Sequence, residues 1–217
     1  MNLGYIDFSE PPTPTYIGVE QGTDEWKGVR AGKITASRIA EMIAGGKGLS
    51  RQKLLHQLAI ERLTGNPIRG GFENRSMRHG NEYEEEAIDL YSLRYGVDVL
   101  RTGFVTHPTL LMCGCSPDAL IGCNGLGQIK CPDQHTHLGY LLSNEVPKTY
   151  ALQMQWEMAC TNKEWNDFIS YDPDTVTRLQ LHVVRIDRDD KIIKMLETEA
   201  VRFNDEINEF LNRLEKL

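Results

Sequence analysis

The sequence has no run of about 18 or more apolar residues, the length a membrane-spanning helix needs, and no basic-then-apolar leader. Neither a membrane span nor a secretory signal is therefore expected, and the compartment expected is the cytosol. Internal repeats and low-complexity linkers are also missing, so residues 1–217 read as a single domain. Within it, 1–18 reads as an extended arm, because Pro11, Pro12 and Pro14 cannot continue a helix. Cysteine is scarce and odd in number: five thiols suit a reduced state better than a disulfide framework. Cys113, Cys115, Cys123 and Cys131, near His135 and His137, lack zinc-finger or ferredoxin spacing and read as packing thiols. An excess of positive charge is missing too. A net charge of −7 argues against a protein that coats DNA non-specifically, yet it leaves room for basic patches around an acidic metal site.

Periodicity supplies the rest. Asp24 to Arg30 predicts a short helix, and Thr35 or Ser37 is placed to cap a second one through Ile39, Met42 and Ile43, ending at a basic loop, Gly45-Gly46-Lys47-Gly48. Ser50 is expected to cap a third, with Leu54, Leu55, Leu58 and Leu63 on one face and a stop at Gly65-Asn66-Pro67. Met77 to Tyr95 carries Tyr83, Ala87, Leu90, Tyr91 and Tyr95 at helical spacing, with Gly96 where a C-terminal cap belongs. Short β-type runs follow at 97–106, 110–113, 118–121 and 127–131, then helical patterns at 138–143 and 147–160. Strand-like runs return at 167–171 and 179–186, before a long amphipathic helix from Asp187 to the end. This order predicts an α+β or mixed α/β domain, with a central mixed β-sheet flanked by helices. Trp26 and Trp156 read as core residues, and the last helix as packing or a subunit contact.

The chemistry concentrates between Ser116 and Lys130. Side chains at i and i+2 of a strand share a face, so Gln128 and Lys130 point together while Ile129 enters the core. A hairpin through Gly122-Cys123-Asn124-Gly125 brings Asp118 to the same spot. Magnesium takes hard oxygen ligands, with water and phosphate completing its octahedron, and a lysine beside it can activate the attacking water. Taken singly, Asp118 is an ordinary turn residue, Lys130 a solvent-facing lysine, Arg30 a surface cation, and Glu82, Glu84, Glu85 and Glu86 a solvated helix face.

In order along the chain, however, the motifs reinforce one another. Asp118 with Gln128-Ile129-Lys130 resembles the Asp…(Asp/Glu)-X-Lys motif of restriction-endonuclease-like nucleases. Four surrounding segments resemble one branch, the phage lambda exonuclease family: Glu20 to Trp26 with Arg30 and Ile34-Thr35-Ala36-Ser37; Gly80-Asn81-Glu82-Tyr83-Glu84; Cys115 to Asp118; and Tyr150 with Gln153-Met154-Gln155. The resemblance implies a restriction-endonuclease-like core. It implies a magnesium-dependent exonuclease, with Mn2+ as a substitute ion, that digests the 5′ strand of duplex DNA ends to mononucleotides. It further implies a homotrimer and a phage-type single-strand annealing protein as partner. By position, Asp118, residue 128 and the Ile129 carbonyl would hold the metal, Lys130 would be the base, and Glu84 and Gln153 supporting groups. Arg30, Ser37 and Ser116 would hold the 5′ phosphate, and Met77 would be a strand-separating wedge.

The sequence departs from the family at Gln128, where the motif has a carboxylate. A neutral amide offers one oxygen, no charge and a competing NH2 group. This points to a variant inactivated by a Glu→Gln change, natural or engineered. Two alternatives stand beside it: a non-catalytic DNA-end-binding recombination module, and a restriction-like endonuclease.

Overall fold

The computed structural model of the protein describes residues 12–44, 48–68 and 75–217, the side chains of 75–82 excepted. Its elements are helices α1 (Asp24–Arg30), α2 (Ile39–Ile43), α3 (Leu49–Thr64), α4 (Arg75–Tyr95), α5 (Gln134–Ser143), α6 (Lys148–Thr161) and α7 (Asp190–Leu214). The strands are β1 (Thr15–Ile17), β2 (Ile34–Thr35), β3 (Val99–Leu100), β4 (Phe104–Thr106), β5 (Cys113–Cys115), β6 (Ala119–Ile121), β7 (Gly125–Lys130), β8 (Trp165–Tyr171) and β9 (Leu181–Asp187).

The α+β class is as expected, but the single central sheet is two. One runs β1-β4-β5-β2, the other β3-β6-β7-β8-β9, and both are mixed. The run expected over 97–106 is divided between them. The division falls at Gly103, where an added Cβ would lie 2.4 Å from the carbonyl oxygens of both Ile17 and Val19. That close approach exists because Thr15–Ile17, expected within a free arm, pairs antiparallel with β4. The rest of the arm, 1–11, and the loop residues 45–47 lie outside the described residues.

Local chemistry explains most boundaries. Thr23 caps α1 by accepting from the Trp26 N–H at 3.2 Å, and Asp133 caps α5 by accepting from Thr136 N–H at 2.8 Å. Asp189 accepts from Lys191 and Ile192, so α7 starts at Asp190 and not at Asp187. Ser50 does not cap α3: Gly48 holds the N-cap position and no side chain caps that end. The run over 110–113 is a turn, because the His107 ring Nδ1 accepts from the Leu110 N–H at 3.1 Å and from the Thr109 N–H at 3.3 Å; the strand begins at Cys113.

Two buried clusters fix the sheets. Ile34, Ile39, Met42, Leu54, Leu58, Val105, Trp156 and Phe203 pack the four-stranded sheet against α2, α3, α6 and α7, so the last helix is largely packing. Ala87, Tyr91, Ile121, Ile129, Ile169 and Leu181 pack α4 on the five-stranded sheet. Strands β7 and β8 run parallel, joined by the crossover α5–α6, so α6 lies along the sheet beside the C-terminal end of β7. That placement brings Gln153 and Glu157, one helical turn apart on one face of α6, toward Gln128.

Candidate active site

Strands β6 and β7 form the expected hairpin, turning where Gly122 adopts a φ of 54°. Asp118 directly precedes β6, and its Oδ2 accepts from the Ile129 N–H at 2.7 Å and from the Gln128 amide. Lys130 Nζ lies 3.8 Å from the same oxygen, in a partly screened pair, and 5.3 Å from the centre of the Tyr150 ring, which itself stacks on Phe168. Asp118, Gln128 and Lys130 therefore meet as expected, with Ile129 turned into the core at 4% exposure.

Behind them runs a buried polar chain. Gln153 Nε2 donates to Gln128 Oε1 at 2.5 Å and to Glu157 Oε1 at 2.9 Å, while Asn166 Nδ2 donates to Glu157 Oε2 at 2.9 Å. Glu157 is fully buried, and burial, then the charge of Asp118, pushes its carboxyl up to about 8. Its hydrogen bonds from Gln153 and Asn166 and the charge of Lys130 act the other way. Glu84, on α4, is raised by burial and by Asp118 against the pull of Arg101, which pairs with both Glu84 and Glu85. The charges of Asp118 and Lys130 both bear on Glu84, which places it near the Asp118 cluster.

The carboxyl of Glu157 gives a pH signature. Its folded value lies above the unfolded one, so the native state binds more protons between about pH 4.5 and 8, and stability falls as pH rises through that window. Glu157→Gln should carry a pH-independent cost, since its NH2 would face the NH2 groups of Gln153 or Asn166. The melting temperature of the variant relative to the unsubstituted chain should therefore climb from pH 5 to 8 and level off above; a flat difference would mean that Glu157 does not titrate in this range.

On the other side of Pro117 lies a second group. Arg30 Nη1 reaches Ser116 Oγ and Nη2 reaches Ser37 Oγ, both at 3.5 Å, and the guanidinium stacks over the Trp26 ring at 3.9 Å. The Trp26 indole N–H donates to Ser116 Oγ at 2.9 Å. Burial, then the neighbouring Arg38, lowers Arg30 to about 10, so it stays charged at neutral pH. Gln21 holds the loop between the two groups by donating to the Pro117 carbonyl at 3.0 Å.

Trp26 corrects an expectation: it is half-buried at this cluster and is not core, unlike Trp156. Its position four residues before Arg30, on one face of α1, was the available signal. Trp26→Phe keeps the stack but loses the indole donor, about 1 kcal/mol; on the 5′-phosphate role that the resemblance implies for this group, it should weaken binding of a 5′-phosphorylated end about five-fold in an anisotropy titration. Unchanged binding would mean that the Ser116 hydroxyl needs no such tether. Met77 lies on α4 where side chains are outside the described residues.

A hard cation here would find a thin donor set. Among the described residues, no three His, Cys, Asp or Glu side chains converge to hold a metal. Asp118 is the carboxylate at the centre, and Gln128 turns its NH2 toward it and its oxygen toward Gln153. One carboxylate with carbonyl oxygens and water suffices for magnesium, so the residues fit the ion, with the second motif position giving a neutral donor that must first turn. The cysteines take no part: Cys113, Cys115, Cys131 and Cys160 are buried thiols and Cys123 is exposed.

Acid, amide and lysine on a strand hairpin, backed by a helix after the crossover, define a restriction-endonuclease-like core of the lambda exonuclease type. The family model of the YqaJ-like viral recombinase domain matches residues 25–164, and the chain belongs to that family. The chain is also similar to the crystal structure of an alkaline exonuclease, LHK-Exo, from Laribacter hongkongensis. The identity is 38%, the TM-score 0.84, and the match covers 89% of this chain and 97% of that one. That exonuclease has also been solved in complex with dAMP, with the same degree of similarity. A phage-related exonuclease from Haemophilus somnus 129PT shares the fold at a TM-score of 0.65 and 16% identity, over 84% of this chain and 96% of that one. No curated protein matches the chain. Among the described residues, no helix is long and apolar enough to cross a membrane.

Proposed function

We propose that this chain engages 5′-phosphorylated ends of duplex DNA as a magnesium-dependent exodeoxyribonuclease of 5′-to-3′ polarity, weakened by the amide at position 128. One observation carries the reading. Ser116 of the Arg30 cradle and Asp118 of the acid–amide–lysine cluster are two residues apart, a chain span of at most about 7 Å, the scale of one nucleotide step. A terminal phosphate held by Arg30, Ser37 and Ser116 sets the next phosphodiester beside Asp118 and Lys130. End recognition and cleavage register are then one measurement, and mononucleotides are the natural product. The 38% identity to an alkaline exonuclease supports the nuclease class.

Asp118, the Ile129 carbonyl and the Gln128 oxygen would hold Mg2+, or Mn2+ in its place. When bound, the ion supplies charge neutralisation at phosphorus and an acidified water. Lys130, near Asp118, orients or deprotonates the attacking water, and Glu84 and Gln153 fix the donors around it. The homotrimer and the phage-type annealing partner that takes the remaining 3′ strand are supported by the family resemblance.

Gln128 favours a second reading, a recombination module that binds ends without cutting. The test is release of nucleotides from linear 5′-phosphorylated duplex, with closed circular duplex as control. End-dependent release supports the exonuclease, cutting of circles points to an endonuclease, and tight end binding without turnover leaves the module.

A further inference from the structure

A cavity of about 160 Å³ lies between the end of α1, β2 and α3, with Arg30 in its wall beside Thr35, whose Oγ1 is 3.4 Å from Ser37 Oγ. Lys27, Arg30, Lys33 and Arg38 line it, against one carboxylate, Glu61. That carboxylate is already occupied. It accepts from Gly32 N–H at 2.9 Å, Gln57 Nε2 at 3.1 Å and Ile68 N–H at 3.4 Å, and forms no ion pair among the described residues.

Compensation of the cations is weak, although the Glu61 charge still favours the charged form of Arg30. Arg38 has no hydrogen-bond or ion-pair partner among the described residues, and its charge bears on Arg30 strongly enough to help lower that guanidinium. Among the described residues, Lys33 Nζ donates only to the neutral Leu111 carbonyl, at 3.1 Å. Lys27 is tied to Asp24 at 3.0 Å in an exposed pair and contributes least. Like charges gathered around a concave site focus the potential and favour an anion.

Size narrows the anion. The cavity is well below the roughly 300 Å³ of the smaller pockets that enclose a drug-sized ligand, so it admits a phosphate group and leaves a base outside. Direction narrows it further. On the end-binding reading, passing from Asp118 to Ser116 and Arg30 runs toward the 5′ end, and Arg30 also lines the cavity, whose wall includes neither Ser37 nor Ser116.

We propose that this cavity is a second phosphate subsite, receiving the phosphate one step 5′-ward of the one held by Arg30, Ser37 and Ser116. The inference rests on the end-binding reading above and deepens it. A blunt 5′-monophosphate end has no such phosphate. A 5′ single-stranded extension supplies one from its backbone, and a 5′-triphosphate supplies one as its β-phosphate.

The experiment is an anisotropy titration without divalent metal on blunt duplexes bearing a 5′ hydroxyl, monophosphate or triphosphate, and on one with a short 5′ extension. It compares the unsubstituted chain with the double variant Lys33→Gln/Arg38→Gln. The extended or triphosphate end should bind about ten-fold tighter than the blunt monophosphate, with a salt slope steeper by about 0.7 for the added phosphate. The double variant should lose that gain and keep its affinity for the blunt monophosphate, which also reports that it folds. A gain with the extension alone assigns the backbone phosphate, and a gain with the triphosphate alone the β-phosphate. No gain with either, or a gain that survives in the double variant, overturns the subsite. Equal binding of the hydroxyl and monophosphate blunt ends overturns the end-binding reading itself and is seen in a separate arm.

Discussion

On the proposed function, Gln128→Glu is expected to raise magnesium-dependent release of mononucleotides from linear 5′-phosphorylated duplex by roughly 100-fold, equivalent to about 3 kcal/mol of transition-state stabilisation. The amide now present donates its NH2 to Asp118, alongside the Ile129 N–H and the nearby Lys130. A carboxylate in its place would face Asp118 as a like charge, a repulsion that a divalent cation between the two relieves. Gln153, which donates to the oxygen of residue 128, needs no rearrangement to serve the new side chain. The gain should appear only with divalent metal, and calorimetric titration with magnesium should show tighter binding in parallel. A rate that stays negligible in the variant, with end binding intact, would leave the non-catalytic module standing.

Arg30→Ala should reduce the preference for a 5′ phosphate over a 5′ hydroxyl by about 10- to 100-fold, the range expected for charge-assisted hydrogen bonds worth about 1.5–3 kcal/mol. The side chain is central to its cluster: it spans Ser116 and Ser37 and is held flat by Trp26. Removing it leaves two hydroxyls with no positive charge between them. Affinity for the hydroxyl end should change little, so the ratio of the two affinities is the readout. A ratio that survived the substitution would place the terminal phosphate elsewhere.

How much of this was readable beforehand varies with the range of the interaction. Asp118, Gln128 and Lys130 were legible because strand alternation and a glycine-bearing hairpin turn are local rules, and both held here. The cradle of Arg30, Ser37 and Ser116 was legible through resemblance, since nothing local joins residues 86 apart in sequence. The splitting of the sheet was not, because the pairing of Thr15–Ile17 with β4 is a long-range choice. Glu157 was hidden for a different reason. A glutamate on a helix looks the same whether solvated or buried, and only the crossover that lays α6 along the sheet reveals which. Ser50 failed as a cap because the helix begins two residues earlier than a side-chain rule predicts.

The amide chain from Asp118 to Glu157 has directionality. Gln128 presents a donor to Asp118 and an acceptor to Gln153, and in the present order Gln153 gives its NH2 to both of its neighbours. Turning Gln128 so that its oxygen faces Asp118 would set NH2 against NH2, so Gln153 must turn with it. The oxygen of Gln153 would then meet Glu157 Oε1, an arrangement that holds only with a proton between them. Asn166 already claims the other oxygen, so that proton has one seat. The facing of the Gln128 side chain at Asp118 and the ionisation of a carboxyl two links away are therefore coupled. With Glu157 poised near pH 8, both settings lie within reach of neutral solution.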